Sequence, residues 1–348
     1  MINRKVLYFG SGAYGSTSYL RSNIIRRSFK CLHHLDSRIV FPDRSLGRSV
    51  LDSLSVRLGI GSLAKQGGTL LIDEAKRYLP DIIWIDGGIF VDSASLGRLK
   101  ELFPRIYLLH YTPDSLFAPA KNTYKFKRSL IKYDLCVTTK TQDLKLYEKF
   151  SNKYLKVEQG FSPDLVSLLE SEGCCTDRGK SVDIIFVGAY MRDRAKALSA
   201  LVRKFPDKKI EIYGSGWSRW YVDAQLRMKF KGGVFGNNYY RAIANSKIVL
   251  GFLNNKVHDT VTTRTYEIPA VGSFLLAERT DEHQQLLSPG VEADFFSSHA
   301  ELIDKVAFYL ENQDLRENIA FNGKAKISKM DYTWEDSVKR IIHAMSLS

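Results

Sequence analysis

The 348-residue sequence is poor in cysteine, with four, and in proline, with nine. Cys31, Cys136 and the adjacent Cys174 and Cys175 form no C-x-x-C pair and no even spacing, so disulfide scaffolds and zinc ribbons are excluded and the thiols are expected to be reduced. Apolar runs such as Val182 to Val187 have the length of a strand, far short of the roughly 20 residues of a membrane-spanning helix. Met1-Ile2-Asn3-Arg4-Lys5 passes straight into Val6 to Phe9 and a glycine turn, too short an apolar region for a signal peptide, and a cytoplasmic location is expected. There is no internal repeat, heptad run or low-complexity tract. A D-x-D pair and a His/Cys cluster with ligand spacing are also missing, so no metal site is expected; His258 beside Asp259 is the nearest approach to one.

What the chain does have is enough apolar sequence, 44% hydrophobic against 26% charged, for two cores rather than one. Its net charge of +13 is unevenly placed. Residues 1–160 hold 26 Lys and Arg against 14 Asp and Glu, and the remaining residues 25 against 24, so the first half is expected to face something anionic. Arg21, Arg26, Arg27 and Lys30 cluster at the end of the first helical stretch. Lys121, Lys125, Lys127, Arg128 and Lys132 follow within twelve residues, with Tyr124 and Phe126 between them. Rings among cations suit an anionic lipid surface; a basic face that aids solubility or steers a soluble anionic acceptor is the alternative. Nucleic acid is not expected, because no recognisable reading motif accompanies the charge.

Strand-like and helix-like stretches alternate throughout, which means parallel strands with crossover helices. The first set of strands is expected at Val6–Phe9, Cys31–Leu35, Ile82–Ile85, Ile106–His110, Leu135–Thr138 and Tyr154–Glu158, and the second at Val182–Val187, Ile210–Tyr213, Gly233–Phe235, Ile248–Leu253, Phe274–Ala277 and Ala293–Phe296. The polar stretch between them marks an interdomain linker. The reading is an α/β protein with a first domain over 1–170, a linker over 171–181, a second domain over 182–330 and a last helix in 331–348 that crosses back to the first. Ser298-His-Ala-Glu301 is a capping box ahead of an apolar helical face.

Several motifs fall at the carboxyl ends of these strands, where open α/β sheets bind ligands. Gly10-Ser-Gly12-Ala-Tyr-Gly15 follows a strand and opens a helix, and Asp36 lies 21 residues on. That is a dinucleotide fingerprint in form, although its glycines equally suit a loop facing another substrate. Gly188 with Arg192 and Arg194, and Gly214-Ser-Gly216-Trp217, put cations and tight turns at two further strand ends, a set that suits a diphosphate or a plain solvated helix start. Asp259, Thr263, Arg264 and Glu267 form the densest group: two carboxylates flanking a cation can hold a vicinal diol and a phosphate, or Arg264 and Glu267 can be a surface helix pair. In the first half, His110 and Asp114 end a strand where one of them can orient or deprotonate a hydroxyl, and Asp86-Gly-Gly88 makes a similar edge; a structural histidine and a plain turn are the alternatives.

The run from Thr263-Arg264-Thr-Tyr-Glu267 through Gly272 to Glu282-His283 resembles the signature of the CgeB-like glycosyltransferase family, and the second half is similar to family 4 glycosyltransferases. Glu267 stands at the second Glu of their E-x7-E motif and Asp259 at the first, one methylene shorter. Tyr332-Thr-Trp334 has Ser337 where relatives carry Arg, and no role is assigned to it. The resemblance implies the GT-B fold, two Rossmann-like domains with parallel sheets facing a central cleft, and a transferase taking a sugar from a nucleotide-diphosphate donor to a glycan or lipid-linked acceptor in bacterial surface polysaccharide synthesis. It implies donor binding by Gly188, Arg194, Gly214, Gly216, Trp217, Thr263, Arg264 and Glu267, catalytic roles for His110, Asp114 and Asp259, and an acceptor side near Gly10, Gly12, Gly15 and Asp86. No cofactor is implied beyond the nucleotide sugar as co-substrate. Retention of configuration is favoured and Arg194 and Arg264 are expected to take the place of a metal. The basic first half adds the expectation of a cytoplasmic enzyme peripheral at the inner membrane face, with a basic face that aids solubility or steers a soluble acceptor as the alternative. A non-catalytic binding or assembly protein of the same fold, or a dinucleotide-dependent oxidoreductase using the first glycine loop, are the alternative readings.

Overall fold

A computed structural model describes residues 1–40, 62–119, 121–173, 179–218 and 223–346. Cys174 and Cys175, in the middle of the expected linker, lie outside the described residues. Contacts divide the chain into two units. The first comprises Met1–Gln159, Asn254–Asp259 and Trp334–Ser348, and the second Gly160–Leu253 and Thr260–Thr333.

The first unit is built on six parallel strands: β1 (Ile2–Gly10), β2 (Phe29–Asp36), β3 (Ile82–Asp86), β4 (Tyr107–Thr112), β5 (Leu135–Thr138) and β6 (Tyr154–Lys156), in the order β2-β1-β3-β4-β5-β6. Val6–Phe9 and Ile82–Ile85 are apolar without alternation because crossover helices cover both faces of the sheet. Successive residues therefore enter two different cores: Leu7, Phe9, Ile83 and Ile85 on one side, Val6, Tyr8, Ile82 and Trp84 on the other. The helix Trp334–Ser346 completes the second of these, contributing Val338, Ile341 and Met345. Ser337 Oγ and Lys153 Nζ fasten it by donating to the carbonyls of Glu158 and Ala344.

The second unit has five parallel strands, β7 (Val182–Val187), β8 (Ile210–Tyr213), β9 (Ser246–Gly251), β10 (Phe274–Glu278) and β11 (Asp294–Phe296), in the order β11-β10-β9-β7-β8. The helix Pro163–Ser171 packs Val166 and Leu169 among Tyr239, Tyr240 and Ile243. Residues 160–170 accordingly sit with the second unit and not with the domain expected to run to 170. The strand expected at Gly233–Phe235 does not form. A single bridge joins Phe230 to Ile212, Gly232 at φ +95° then turns the chain, and Phe235 precedes the helix Gly236–Ala244. Ser298 caps the helix His299–Glu311 by accepting from Glu301 N–H, and the Glu301 carboxylate accepts from Ser297 N–H.

Counted from the start of each unit, both sheets open with the order 2-1-3-4-5. The winding reverses between β1 and β3 and again between β7 and β9, and in doubly wound sheets the carboxyl ends beside such a reversal leave room for a ligand. Among the described residues no helix is long and apolar enough to cross a membrane.

Candidate functional site

In the second unit the turn that leaves β7, Val187-Gly188-Ala189, collects side chains from three separate segments. Arg264 Nε donates to Val187 O at 2.5 Å, Trp217 Nε1 to Gly188 O at 2.9 Å, and Arg194 Nη1 to Ala189 O at 3.1 Å. Arg194 Nη2 reaches across the reversal to Phe252 O and Leu253 O at 3.3 and 3.1 Å, just beyond β9. Gly214 lies so close that a Cβ there would sit 2.1 Å from Gly188 O, and its φ of +135° is one that L side chains rarely adopt. Gly216 also has positive φ, and Trp217 is buried edge-on against Phe186 and Tyr190. Gly188, Arg194, Gly214, Trp217 and Arg264 are thus brought together at one reversal.

Helix Arg264–Ala270 begins after Thr263 and aims Glu267 inward. The carboxylate is only 5% exposed and accepts from Tyr239 Oη at 2.7 Å and Tyr240 Oη at 3.3 Å. Burial raises its pKa, opposed by the charge of Arg264 and the two phenol bonds. Arg264 in turn lies 5.8 Å from the Tyr239 ring. The arrangement is a buried carboxylate behind an arginine, joined by a tyrosine that touches both.

The reversal of the first unit is filled by the protein itself. Gly12 N–H donates to Asp36 Oδ1 at 2.9 Å, and Arg38 pairs with the same carboxylate at 2.7 Å. Burial would raise the pKa of Asp36, but the bonds from Arg38 and Gly12 prevail and hold it low. In a dinucleotide site this carboxylate would be open to a ribose and the amide to a pyrophosphate; here each is the other's partner. A Cβ on Gly10 would come within 2.5 Å of Ser18 Oγ, so that glycine serves close packing, and Gly15 supplies positive φ ahead of the helix Thr17–Ser28. Asp86 accepts from Tyr8 Oη at 2.5 Å and from Arg21, whose guanidinium lies 3.8 Å from the Tyr111 ring.

Residues 192–343 match the family described as glycosyl transferase-like. No curated protein sequence matches the chain. Among solved structures the chain is similar to the sucrose-phosphate synthase of Thermosynechococcus elongatus (12% identity, 99% of each chain, TM-score 0.68). It is also similar to Anabaena Alr3699/HepE in complex with UDP and glucose (12% identity, 99% of this chain and 100% of that one, TM-score 0.63). The UDP-GlcNAc 2-epimerase of Neisseria meningitidis bound to UDP-GlcNAc follows at 13% identity, 99% and 100% coverage and a TM-score of 0.58. The fold is GT-B.

On this GT-B chain the three residues expected to be catalytic all belong to the first unit, and the β7 turn to the second. Asp259 clusters with the first unit, where its Oδ1 receives Lys140 Nζ at 2.7 Å; the two side chains are 13% and 6% exposed. His258 before it has left-handed backbone and stands edge-on to Phe117. His110 is wholly buried among Phe126, Tyr133 and Tyr147, and neither ring nitrogen has a hydrogen-bond partner. Burial, then the charge of Lys121, lower its pKa to about 3 against the Gly87 backbone. This corrects the picture of His110 as a group at an open strand end: β4 is covered on both faces, and His110 is buried with its neighbours Leu109 and Tyr111. Asp114 is exposed and pairs with the buried Lys121 at 2.9 Å, and that ammonium holds its pKa below the usual carboxylate range, the wrong direction for a base at neutral pH.

Three residues that partner the expected site residues carry no sequence motif. Tyr239 and Tyr240, adjacent on a helix, read as core aromatics, and Lys140 follows a strand as one cation among many. Glu278, at the end of β10, accepts from Leu253 N–H at 2.6 Å and fixes the chain beyond β9; burial raises its pKa. A cavity of about 450 Å³ in the second unit is lined by Lys180, Val182 and Asn245 together with Glu211 and Tyr213 of β8.

Proposed function

We propose that the protein is a glycosyltransferase that takes a sugar from a nucleotide-diphosphate donor to a glycan or lipid-linked acceptor, and that the donor is held by the β7 turn of the second unit. The observation that carries this reading is the convergence of Arg194, Gly214, Trp217 and Arg264 on Val187–Ala189, inside the stretch matched by the glycosyl transferase-like family. A guanidinium has five N–H donors, so Arg264 can meet a phosphate while its Nε keeps Val187 O. Thr263 and Gly216 flank the same turn, and Glu267, steadied by two phenols, is the group for the ribose diol. Similar structures described as complexes with UDP, with UDP and glucose and with UDP-glucose support a uridine donor.

In this proposal the departing diphosphate is neutralised by Arg264 and Arg194, so transfer needs no divalent cation, and retention is favoured by likeness to family 4 enzymes. Membership of the CgeB-like subfamily and work on a bacterial surface polysaccharide at the inner membrane face belong to the same reading. Calorimetric titration with nucleoside diphosphates tests the core of it: micromolar binding of UDP is expected, and no binding of any nucleoside diphosphate overturns it. Donor turnover should survive EDTA; loss with rescue by Mn²⁺ or Mg²⁺ would return the leaving group to a metal.

One observation favours a second reading. Asp259 is already committed to Lys140, His110 is sealed in the core and Asp114 is held ionised, so the fold can bind a nucleotide sugar without turning it over. Hydrolysis or transfer assays across a donor panel separate the two, because the binding-only protein shows affinity with no turnover.

A further inference from the structure

The excess positive charge of the first half is not spread evenly over its surface. Helices Tyr124–Ser129 and Leu144–Phe150, the turn Leu130–Lys132 and the edge strand β6 pack into one patch. Tyr124 stands edge-on to Phe150 at 6.4 Å, Asn152 Nδ2 donates to Ile131 O at 3.4 Å, and Tyr154 stacks on Tyr147 at 6.4 Å. Tyr124, Ile131 and Tyr154 are 68%, 52% and 40% exposed, large apolar side chains in a region that a soluble protein has no need to leave uncovered. Around them stand Lys125, Arg128, Lys132, Lys145 and Lys149, all exposed and none in an ion pair among the described residues. The Arg128 guanidinium lies 5.4 Å from the Tyr124 ring and Lys149 Nζ 5.5 Å from that of Phe150. Asp143 is buried and Asp134 is taken by Lys100, which leaves Glu148 as the one exposed carboxylate of residues 124–154.

We propose that this patch is a docking face for an anionic lipid surface. It is not the linear segment 121–132 expected from sequence: Lys121 is buried against Thr112 and Asp114, and Phe126 is buried beside His110. The face is assembled instead across two helices and a strand edge. A soluble polyanion would satisfy the cations alone. A bilayer satisfies both parts, taking the two phenol rings and Ile131 at the level of the headgroups while the five cations meet lipid phosphates. The inference rests on the membrane part of the proposed function and gives it a surface; it does not depend on donor chemistry, so its failure leaves nucleotide binding untouched.

Vesicle flotation at low salt tests it, with phosphatidylcholine vesicles containing 30% phosphatidylglycerol and with pure phosphatidylcholine. Binding to the first and not the second is expected, falling steeply as salt is raised. Lys125→Glu, Lys132→Glu and Lys149→Glu together should lower the partition coefficient on the order of a hundredfold or more. Lys204→Glu, Lys208→Glu and Lys231→Glu, a charge-matched change on the second unit, should leave it within about threefold. Tyr124→Ser with Ile131→Ser should weaken vesicle binding and leave heparin binding unchanged. No flotation with anionic vesicles overturns the proposal, as does equal loss in the two charge-reversal variants. Heparin binding with the Ser variant still floating like the parent would assign the face to soluble polyanions and overturn it too. Far-ultraviolet circular dichroism and a thermal melt of each variant confirm that the protein is folded, whether or not it binds UDP.

Discussion

Replacing Glu267 by Gln keeps the volume and removes the charge. If its carboxylate serves the ribose, Glu267→Gln weakens UDP binding by about 1–3 kcal/mol, the range for a charged hydrogen bond. Tyr239→Phe removes one of the phenols that steady the same carboxylate, and about 1 kcal/mol of stability should go with it. Unaltered UDP affinity in Glu267→Gln, measured by calorimetry, would show that the residue only organises the core. His110 makes a pH prediction at this scale. Its folded pKa, about 3, lies below the model-compound value of 6.5, so between those values the unfolded chain takes up a proton that the folded one refuses. Its contribution to stability is complete above pH 6.5 and shrinks as the pH falls toward 3. His283, pushed down to about 4 by burial, adds to the same slope. His110→Leu removes two unpartnered nitrogens, and its denaturant midpoint should fall less between pH 7 and 4.5 than that of the parent. A parallel decline would mean that His110 is not the group being protonated.

At the level of elements, the turn after β8 is the most demanding. Gly214→Ala puts a methyl against Gly188 O at a backbone angle reserved for glycine, and a cost on the order of 1–3 kcal/mol is expected, together with loss of UDP binding because the Gly188 peptide must move. Thermal melting and titration of this variant should move together; a stable variant that has lost only binding would place the effect in the ligand. Such turns were easy to read in the sequence, because a glycine after an apolar strand has few other uses. Eleven of the twelve expected strands formed, the central ones such as β3 and β10 because a sheet covered on both faces demands nearly unbroken apolar runs. The failure at Gly233–Phe235 shows the limit: Val234 flanked by glycine and Phe looks extended, but the ladder needed Phe230 opposite Ile212. Side-chain partners were much less legible than elements. Nothing in the pattern around Asp259 points to Lys140, 119 residues earlier, and His110 is buried because β4 is covered on both faces, Leu108 through Thr112 being buried alike, a coverage the strand's own sequence does not reveal.

On the scale of the whole molecule the fold class was readable from alternation alone and the crossing back of the last helix was expected, but the return of residues 254–259 to the first unit was not. Residues 254–259 and the helix Trp334–Ser346 belong by contact to a unit whose main body ended at Gln159. That helix buries Val338, Ile341 and Met345, each contributing about 1.5–3 kcal/mol, a sum comparable with the whole stability of a typical domain. Limited dissection of the protein therefore has an unusual outcome. Removing residues 334–348 takes away a short segment yet opens a core of the first unit, and the damage should be felt as exposed Val6, Tyr8 and Trp84. Fragment 1–159 is expected to bind a dye that reports exposed apolar surface and to lose that signal when a synthetic 334–348 peptide is added. A fragment that is compact and dye-silent without the peptide would contradict this. During synthesis this unit, begun before its neighbour, is completed after it, waiting for a helix encoded some 180 residues downstream.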